Sequence, residues 1–167
     1  VCTWSTAPSG LATPYKAEPA AALFSEARMH GPAGIPGIKL NGTSERLTIP
    51  DATYWTNLAT VPFSLVCSGY FTGTTGVQTI IAKSDGAGAT TREWELYLTA
   101  AELLVIRIWD ETADASILLT TDAAIPLNVP VHIVAATDGG TLATNFVIYI
   151  NGAAVAATAS TTGVFVT

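Results

Sequence analysis

Short strand-like runs, separated by turn residues about every ten positions, dominate the chain from residue 37 onward. Thr, Val, Ile and aromatic residues fill the runs, and Gly, Asp, Asn and Pro lie between them. The runs read IKLNG, ERLTIP, FSLVCSGYF, TIIAKS, REWELYL, LLVIRIWD, SILLT, VHIVAAT and NFVIYI. No helical periodicity of useful length interrupts them. The pattern predicts an all-β fold, either a two-sheet antiparallel sandwich or a jelly roll.

The stretch FVIYINGAAVAAT (146–158) predicts a β-hairpin, because Asn-Gly between apolar runs favours a two-residue type I′ turn. Phe146, Ile148 and Ile150 share one face of the first strand, and Val147 and Tyr149 share the other. Both faces are therefore apolar, although a strand with one face in water normally alternates. The sandwich explains the inner face. On the outer face, Val147 and Tyr149 are expected beside Ala154 and Ala156, in a shallow apolar trough.

The segment 92–110 predicts a second hairpin whose loop has an odd number of residues. Only that parity places two apolar triplets on one face, since a slip of one residue would turn one strand over. The triplets are Trp94, Leu96 and Leu98, and Leu104, Ile106 and Ile108. The outer face then carries Glu93, Glu95, Tyr97 and Trp109, and we expect Glu93 to pair with Arg107 across the strands. The predicted core comprises Trp94, Leu96, Leu104, Ile106, Ile148 and Ile150.

Residues 1–36 differ from the remainder and contain five of the nine prolines. PAAALFSEARM (19–29) predicts a short helix, with Pro19 in its first turn and Gly31 at its exit. We therefore expect an N-terminal arm or linker over 1–36, followed by a β-sandwich over 37–167. The arm is either a loosely packed lead-in or a segment that wraps a neighbouring subunit.

Composition narrows the function classes. Charged residues make up only 12% of the chain, the net charge is −6, and no Lys/Arg cluster occurs, so a nucleic-acid partner is not expected. No apolar run has the roughly 18 residues that a membrane span needs. Of the two cysteines, Cys67 alternates with apolar residues and is expected to be a small buried hydrophobe, while pairing with Cys2 stays an alternative.

Three stretches resemble LamG-like, concanavalin A-like jelly-roll modules. They are IKLNGTSERLTIPDATYW with VPFSLVCSGYF, TIIAKSDGAGATTREWELYL, and VHIVAATDGGTLATNFVIYINGAAVAAT. The likeness runs from residue 37 to about 160 in the family's order. Two family tryptophans are absent, near Ser68 and Val131, and so is the closing segment that usually pairs with the first strands. The resemblance therefore implies a sandwich that is incomplete at its C-terminus, or one completed by the arm or a neighbour.

Catalytic chemistry is not expected. The related glucanases carry a Glu-x-Asp-x-Glu strand, and here Glu93 and Glu95 share a face without a third acid. His30 lies in a Gly/Pro linker, His132 matches the family's structural His, and no Gly-x-Ser-x-Gly elbow is present. No cofactor or metal is predicted. Calcium, common in the wider family, is the alternative. Its candidate ligands are the loop carboxylates Asp85, Asp110, Asp122 and Asp138.

The leading hypothesis is a non-catalytic structural or adhesion module, a virion decoration or fibre-type protein or another extracellular assembly subunit. Low charge, apolar outer faces and a Pro-rich arm all suit a subunit that packs against others. The alternative is a carbohydrate-binding module of a secreted bacterial enzyme or adhesin. Expected partners are protein subunits in the first case and surface glycans in the second. The candidate ligand-binding residues are Tyr97, Arg107, Trp109 and Tyr149.

Overall fold

The structure is a computed structural model that describes residues 38–41, 45–50, 61–73, 75–84, 92–110, 113–140 and 143–165. Nearly all its regular structure is β. The strands are β1 (Phe63–Tyr70), β2 (Gln78–Ser84), β3 (Arg92–Leu98), β4 (Leu104–Asp110), β5 (Ala115–Thr121), β6 (Pro130–Thr137), β7 (Phe146–Ile150), β8 (Ala153–Ala154) and β9 (Ala157–Thr162), with a 3-10 turn at Ala143–Asn145. In this part of the chain no helix is long and apolar enough to cross a membrane.

The strands form two antiparallel sheets, a four-stranded sheet ordered β1-β6-β7-β8 and a five-stranded sheet ordered β2-β3-β4-β5-β9. The predicted all-β, two-sheet architecture is therefore confirmed. The predicted arm with its short helix falls on residues 1–36, which lie outside the described residues.

A single core fills the space between the sheets. The five-stranded sheet contributes side chains such as Leu96 and Ile106, and the four-stranded sheet contributes Ile133 and Ile148, all at most 1% exposed. Five of the six predicted core residues are buried, and Ile150 is partly buried against them. Cys67 also lies in the core, as predicted. The core follows from period-2 alternation, which gives each strand one apolar face.

Both predicted hairpins form. Asn151 and Gly152 have φ values of 53° and 83°, as a type I′ turn requires, and Tyr149 lies opposite Ala154. The side chain of Asn151 accepts a hydrogen bond from the backbone N–H of His132 at 2.8 Å, and its own N–H donates to the His132 carbonyl. The turn residue therefore also ties the β7–β8 hairpin to the neighbouring strand β6.

The course of the chain after this hairpin differs from the prediction. β8 ends at Ala154, and the carbonyl of Ala156 accepts a hydrogen bond from the N–H of Asp122. The chain then enters the other sheet as β9, which pairs with β5. Ala156 therefore does not line the outer trough beside Tyr149, and a strand that we did not predict completes the five-stranded sheet.

The first two predicted strands are absent from the described residues. Residues 38–41 and 45–50 have irregular backbone, and Ile38, Leu40, Leu47 and Ile49 are exposed. Their alternation satisfies the local pattern of a strand, but a strand also needs a ladder partner, and no described strand provides one. Asn41 and Glu45 instead exchange two hydrogen bonds, in each of which the backbone N–H of one residue donates to a side-chain oxygen of the other.

Candidate functional site

The outer face of the five-stranded sheet gathers most of the predicted ligand-binding residues. The β3–β4 register sets Glu95 opposite Arg107 and Tyr97 opposite Val105, and Trp109 follows Arg107 on the same face of β4. Tyr97, Arg107 and Trp109 are therefore neighbours. With the side chains that contact or surround them they form what we call the outer-face cluster: Lys83, Arg92, Glu93, Glu95, Tyr97, Arg107, Trp109 and Ser116.

The charge pair that we expected on this face is wrong, because the register differs from the expected one by two residues. Arg107 lies opposite Glu95, not Glu93. The odd loop parity is correct, but the loop spans five residues, 99–103, and is closed by a hydrogen bond from Thr99 N to Leu103 O at 3.0 Å. Glu93 instead forms an ion pair with Lys83, whose Nζ lies 2.6 Å from Glu93 Oε1.

Two guanidinium groups hold the ring of Trp109. The Cζ of Arg107 lies 4.5 Å from the ring centroid and that of Arg92 lies 5.1 Å away. Both distances are within the range in which a cation is attracted by an aromatic face. The tryptophan is thus the centre of the cluster rather than an isolated aromatic platform.

Arg107 is also fixed from the neighbouring strand β5. Its Nε and Nη2 donate to the Oγ of Ser116 at 3.3 and 3.1 Å. Ser116 is only 1% exposed, although it lies on the outer face of the sheet. A hydrogen bond to a buried hydroxyl restricts the long arginine side chain, so its guanidinium group is positioned before any ligand arrives.

Three buried polar atoms in the cluster have no hydrogen-bond partner among the described residues. They are Nε of Arg92, Oε2 of Glu93 and Nε1 of Trp109. Buried polar atoms are nearly always hydrogen-bonded in proteins, because leaving one unpaired forfeits its interaction with water. Two donors and one acceptor without partners are therefore grouped on this face, and a ligand that both accepts and donates hydrogen bonds could pair with them.

Burial also changes the acid–base behaviour of the cluster. Loss of solvent raises the pKa of the Glu95 carboxyl, while Arg107 and Arg92 oppose that rise. The pKa of Tyr97 is raised as well, first by burial and then by the adjacent Glu95, with Arg107 acting in the other direction. Both groups are partly desolvated while they remain partly exposed.

The fourth candidate, Tyr149, lies on the opposite side of the molecule. It sits on the outer face of the four-stranded sheet, and the core of the sandwich separates it from the outer-face cluster. The register aligns it in a cross-strand series that we call the apolar row: Val66, Val134, Tyr149 and Ala154. Tyr149 is therefore not part of the same site.

The described residues do not support a metal site. Among them, no three His, Cys, Asp or Glu side chains lie close enough together to hold a metal ion. Asp122 accepts a hydrogen bond from Thr158 and Asp138 one from Asn145. Asp110 accepts one from the backbone of Ala113, and Asp85 lies outside the described residues. His132 contacts Ser68, with 2.8 Å between Nδ1 and Oγ, on an exposed part of the four-stranded sheet.

The sequence alone did not identify Lys83, Arg92 or Ser116 as part of a site. Arg92 opens the run REWELYL and could have been suspected from its position next to the two glutamates. No local pattern could have revealed Ser116, because its contact with Arg107 depends on the β4–β5 register.

Two antiparallel sheets around one core, with a charged and aromatic outer face on one sheet, define a β-sandwich module with a candidate binding face. In a comparison with protein families, the family model described as the Concanavalin A-like lectin/glucanases superfamily matches residues 41–167. The chain belongs to this superfamily. Such laminin G-like modules are compatible with carbohydrate binding or adhesion and are typically non-catalytic. Searches of curated proteins and of solved structures gave no match.

Proposed function

We propose that this protein is a non-catalytic adhesion module that recognises a glycan through the outer-face cluster. The observation that carries the proposal is the set of unpaired buried atoms on Arg92, Glu93 and Trp109. Sugar hydroxyls both donate and accept hydrogen bonds, so a glycan complements two donors and an acceptor together. Arg92, Glu93 and Trp109 are each only partly buried as residues, so the face that carries these atoms is accessible to a ligand.

The test compares single-group changes on the two outer faces. Trp109→Phe removes the indole N–H and keeps an aromatic ring, and Tyr149→Phe removes one hydroxyl on the other sheet. We expect Trp109→Phe to weaken glycan binding by about threefold to tenfold, the loss typical of one hydrogen bond, and Tyr149→Phe to leave it unchanged. The measurement is calorimetric titration with a glycan selected from an array screen. The reverse result would move the site to the four-stranded sheet.

The absence of catalysis is part of the proposal. Glu93 forms an ion pair with Lys83 at 2.6 Å, and Glu95 lies opposite Arg107 in the β3–β4 register, so neither carboxylate is a free acid or base. Any polysaccharide hydrolysis should therefore survive Glu93→Gln and Glu95→Gln. An activity that either substitution abolished would make the protein an enzyme.

A second candidate function is a structural subunit of an extracellular assembly, such as a virion decoration or fibre-type protein. The observation in its favour is exposed apolar surface: Ile38, Leu40, Leu47 and Ile49 are each between 43% and 54% exposed. Exposed apolar surface marks protein–protein contacts where it is contiguous. Deleting residues 1–36 and measuring oligomer mass and thermal midpoint tests the predicted arm. Loss of an oligomer would place the arm on a neighbour, which is the result we expect, and an unchanged mass and midpoint would make it a linker.

A further inference from the structure

The outer-face cluster concentrates positive charge on a protein that is negative overall. Lys83, Arg92 and Arg107 are three of the seven Lys and Arg residues in a chain of net charge −6. The cluster's two carboxylates, Glu93 and Glu95, leave it with a formal charge of +3 − 2 = +1. The net charge of the molecule therefore repels a negatively charged ligand, whereas the charge of this face attracts one.

The ring of Trp109 is engaged in a way that argues against simple stacking of a neutral sugar. The guanidinium groups of Arg107 and Arg92 lie 4.5 and 5.1 Å from the ring centroid. A sugar that stacked on the ring would displace one of them and lose its attraction to the ring. In their present positions the same contacts hold two cations side by side. A guanidinium group binds a carboxylate through parallel N–H donors, which makes such a pair suited to an anion.

The unpaired atoms specify more than charge. Arg92 Nε and Trp109 Nε1 are donors, which a carboxylate can satisfy, and Glu93 Oε2 is an acceptor, which needs a hydroxyl. A sugar acid presents both groups on one ring. We propose that the ligand of the outer-face cluster is a carboxylated polysaccharide of the uronate type, with its carboxylate against Arg92 and Arg107 and a ring hydroxyl on Glu93. This inference rests on the proposed glycan-binding function of the same face.

Glu95 acts in this arrangement as the protein's own competing anion. It lies opposite Arg107 on β4, shares β3 with Arg92 and Tyr97, and faces the uncharged Ala82 on β2. A ligand carboxylate and an ionised Glu95 repel each other and compete for the same guanidinium groups. Uronate binding should therefore strengthen as pH falls and Glu95 takes up a proton, until the ligand's own carboxylates are protonated.

The experiment uses the full chain with polygalacturonate, the same polymer after reduction of its carboxyl groups, and a sulfated polysaccharide. We expect polygalacturonate to bind at least about tenfold more tightly than the reduced polymer, the effect of losing one charge-assisted hydrogen bond. Added salt should weaken that binding, because the cluster is partly exposed. This comparison changes the ligand and not the protein, so it does not depend on a variant that folds.

Matched variants locate the effect. Arg92→Gln should weaken polygalacturonate binding about tenfold, whereas Arg46→Gln, the same substitution on the exposed segment 45–50, should leave it within about twofold. Glu95→Gln should strengthen binding near neutral pH and remove most of its rise at lower pH. A residue with only a structural role would not produce an increase.

The outcomes distinguish the uronate ligand from the more general glycan-binding function on which it rests. Equal binding of the reduced polymer would overturn the uronate ligand and keep a glycan-binding face. Binding of the sulfated polymer alone would overturn the carboxylate assignment and keep an anionic ligand. If no glycan bound in the array or in these titrations, the proposed function itself would fail.

Discussion

The two outer faces of the sandwich are built on opposite principles. On the five-stranded sheet, Val105 and Ser116 are each 1% exposed, although both lie on the face that carries the outer-face cluster. On the four-stranded sheet the apolar row remains accessible, and Val66 is 49% exposed. The described outer positions of that sheet carry no carboxylate, Lys or Arg. One face is therefore suited to select a polar ligand, and the other to pack against a surface.

The largest loss of stability should come from the core, which both sheets share. Ile106 and Ile148 come from different sheets and are 1% and 0% exposed in one shared core. Truncation of either to alanine removes buried methyl groups and leaves a cavity, so we expect each to lower the unfolding free energy by about 2–5 kcal/mol. Urea unfolding monitored by circular dichroism measures this. An Ile148→Ala variant as stable as the parent would show that the four-stranded sheet does not share the core.

A matched pair of valines tests the contrast between the outer faces directly. Val105 and Val134 both lie on central strands and point outward, but Val105 is buried whereas Val134 is partly exposed. We expect Val105→Ala to cost about 1.5–3 kcal/mol and Val134→Ala less than about 1 kcal/mol, because only the first change opens a cavity. Equal losses in the same urea titration would mean that both outer faces are covered to the same degree.

The sequence predicted what depends on neighbours along the chain. The Asn-Gly turn, the facing triplets of the 92–110 hairpin and the burial of Leu96 or Ile148 all follow from alternation and turn chemistry. It also placed Tyr97, Arg107 and Trp109 on an outer face. Parity alone identifies the face of a strand.

What the sequence did not predict depends on partners that are distant in the chain. Parity cannot give the loop length, so Glu93 was paired with Arg107 in place of Glu95. The alternating segments 38–41 and 45–50 have the pattern of strands without a ladder in the described structure. The contact of Arg107 with Ser116 and the crossing of the chain into β9 join positions that no local pattern connects.

A smaller effect on stability should come from the ionisation of Glu95 in the outer-face cluster, and it should depend on pH. Burial raises the pKa of Glu95 above its ordinary value of 4.5, so the folded protein holds this proton more tightly than the unfolded chain does. The stability that this proton contributes is present below pH 4.5 and is lost as pH rises through the folded pKa. Glu95→Gln stays neutral throughout, so its thermal midpoint should exceed that of the parent near neutral pH and converge on it in acid. A lower midpoint at neutral pH would mean that attraction to Arg107 and Arg92 outweighs burial.

The smallest change in stability should come from Val66→Lys. The same substitution should most clearly separate the roles of the two outer faces. Val66 is 49% exposed in the apolar row and Val77 is 68% exposed just before β2, so Val66→Lys and Val77→Lys add the same charge at exposed positions. Both should leave the unfolding free energy within about 0.5 kcal/mol of the parent. If the apolar row packs against other subunits, the parent's mass in sedimentation should rise with concentration. Val66→Lys should abolish that rise, because burying an unpaired ammonium group is costly, and Val77→Lys should preserve it. A parent that stays monomeric at every concentration would remove the support for assembly through this face and leave glycan recognition on the other as its proposed role.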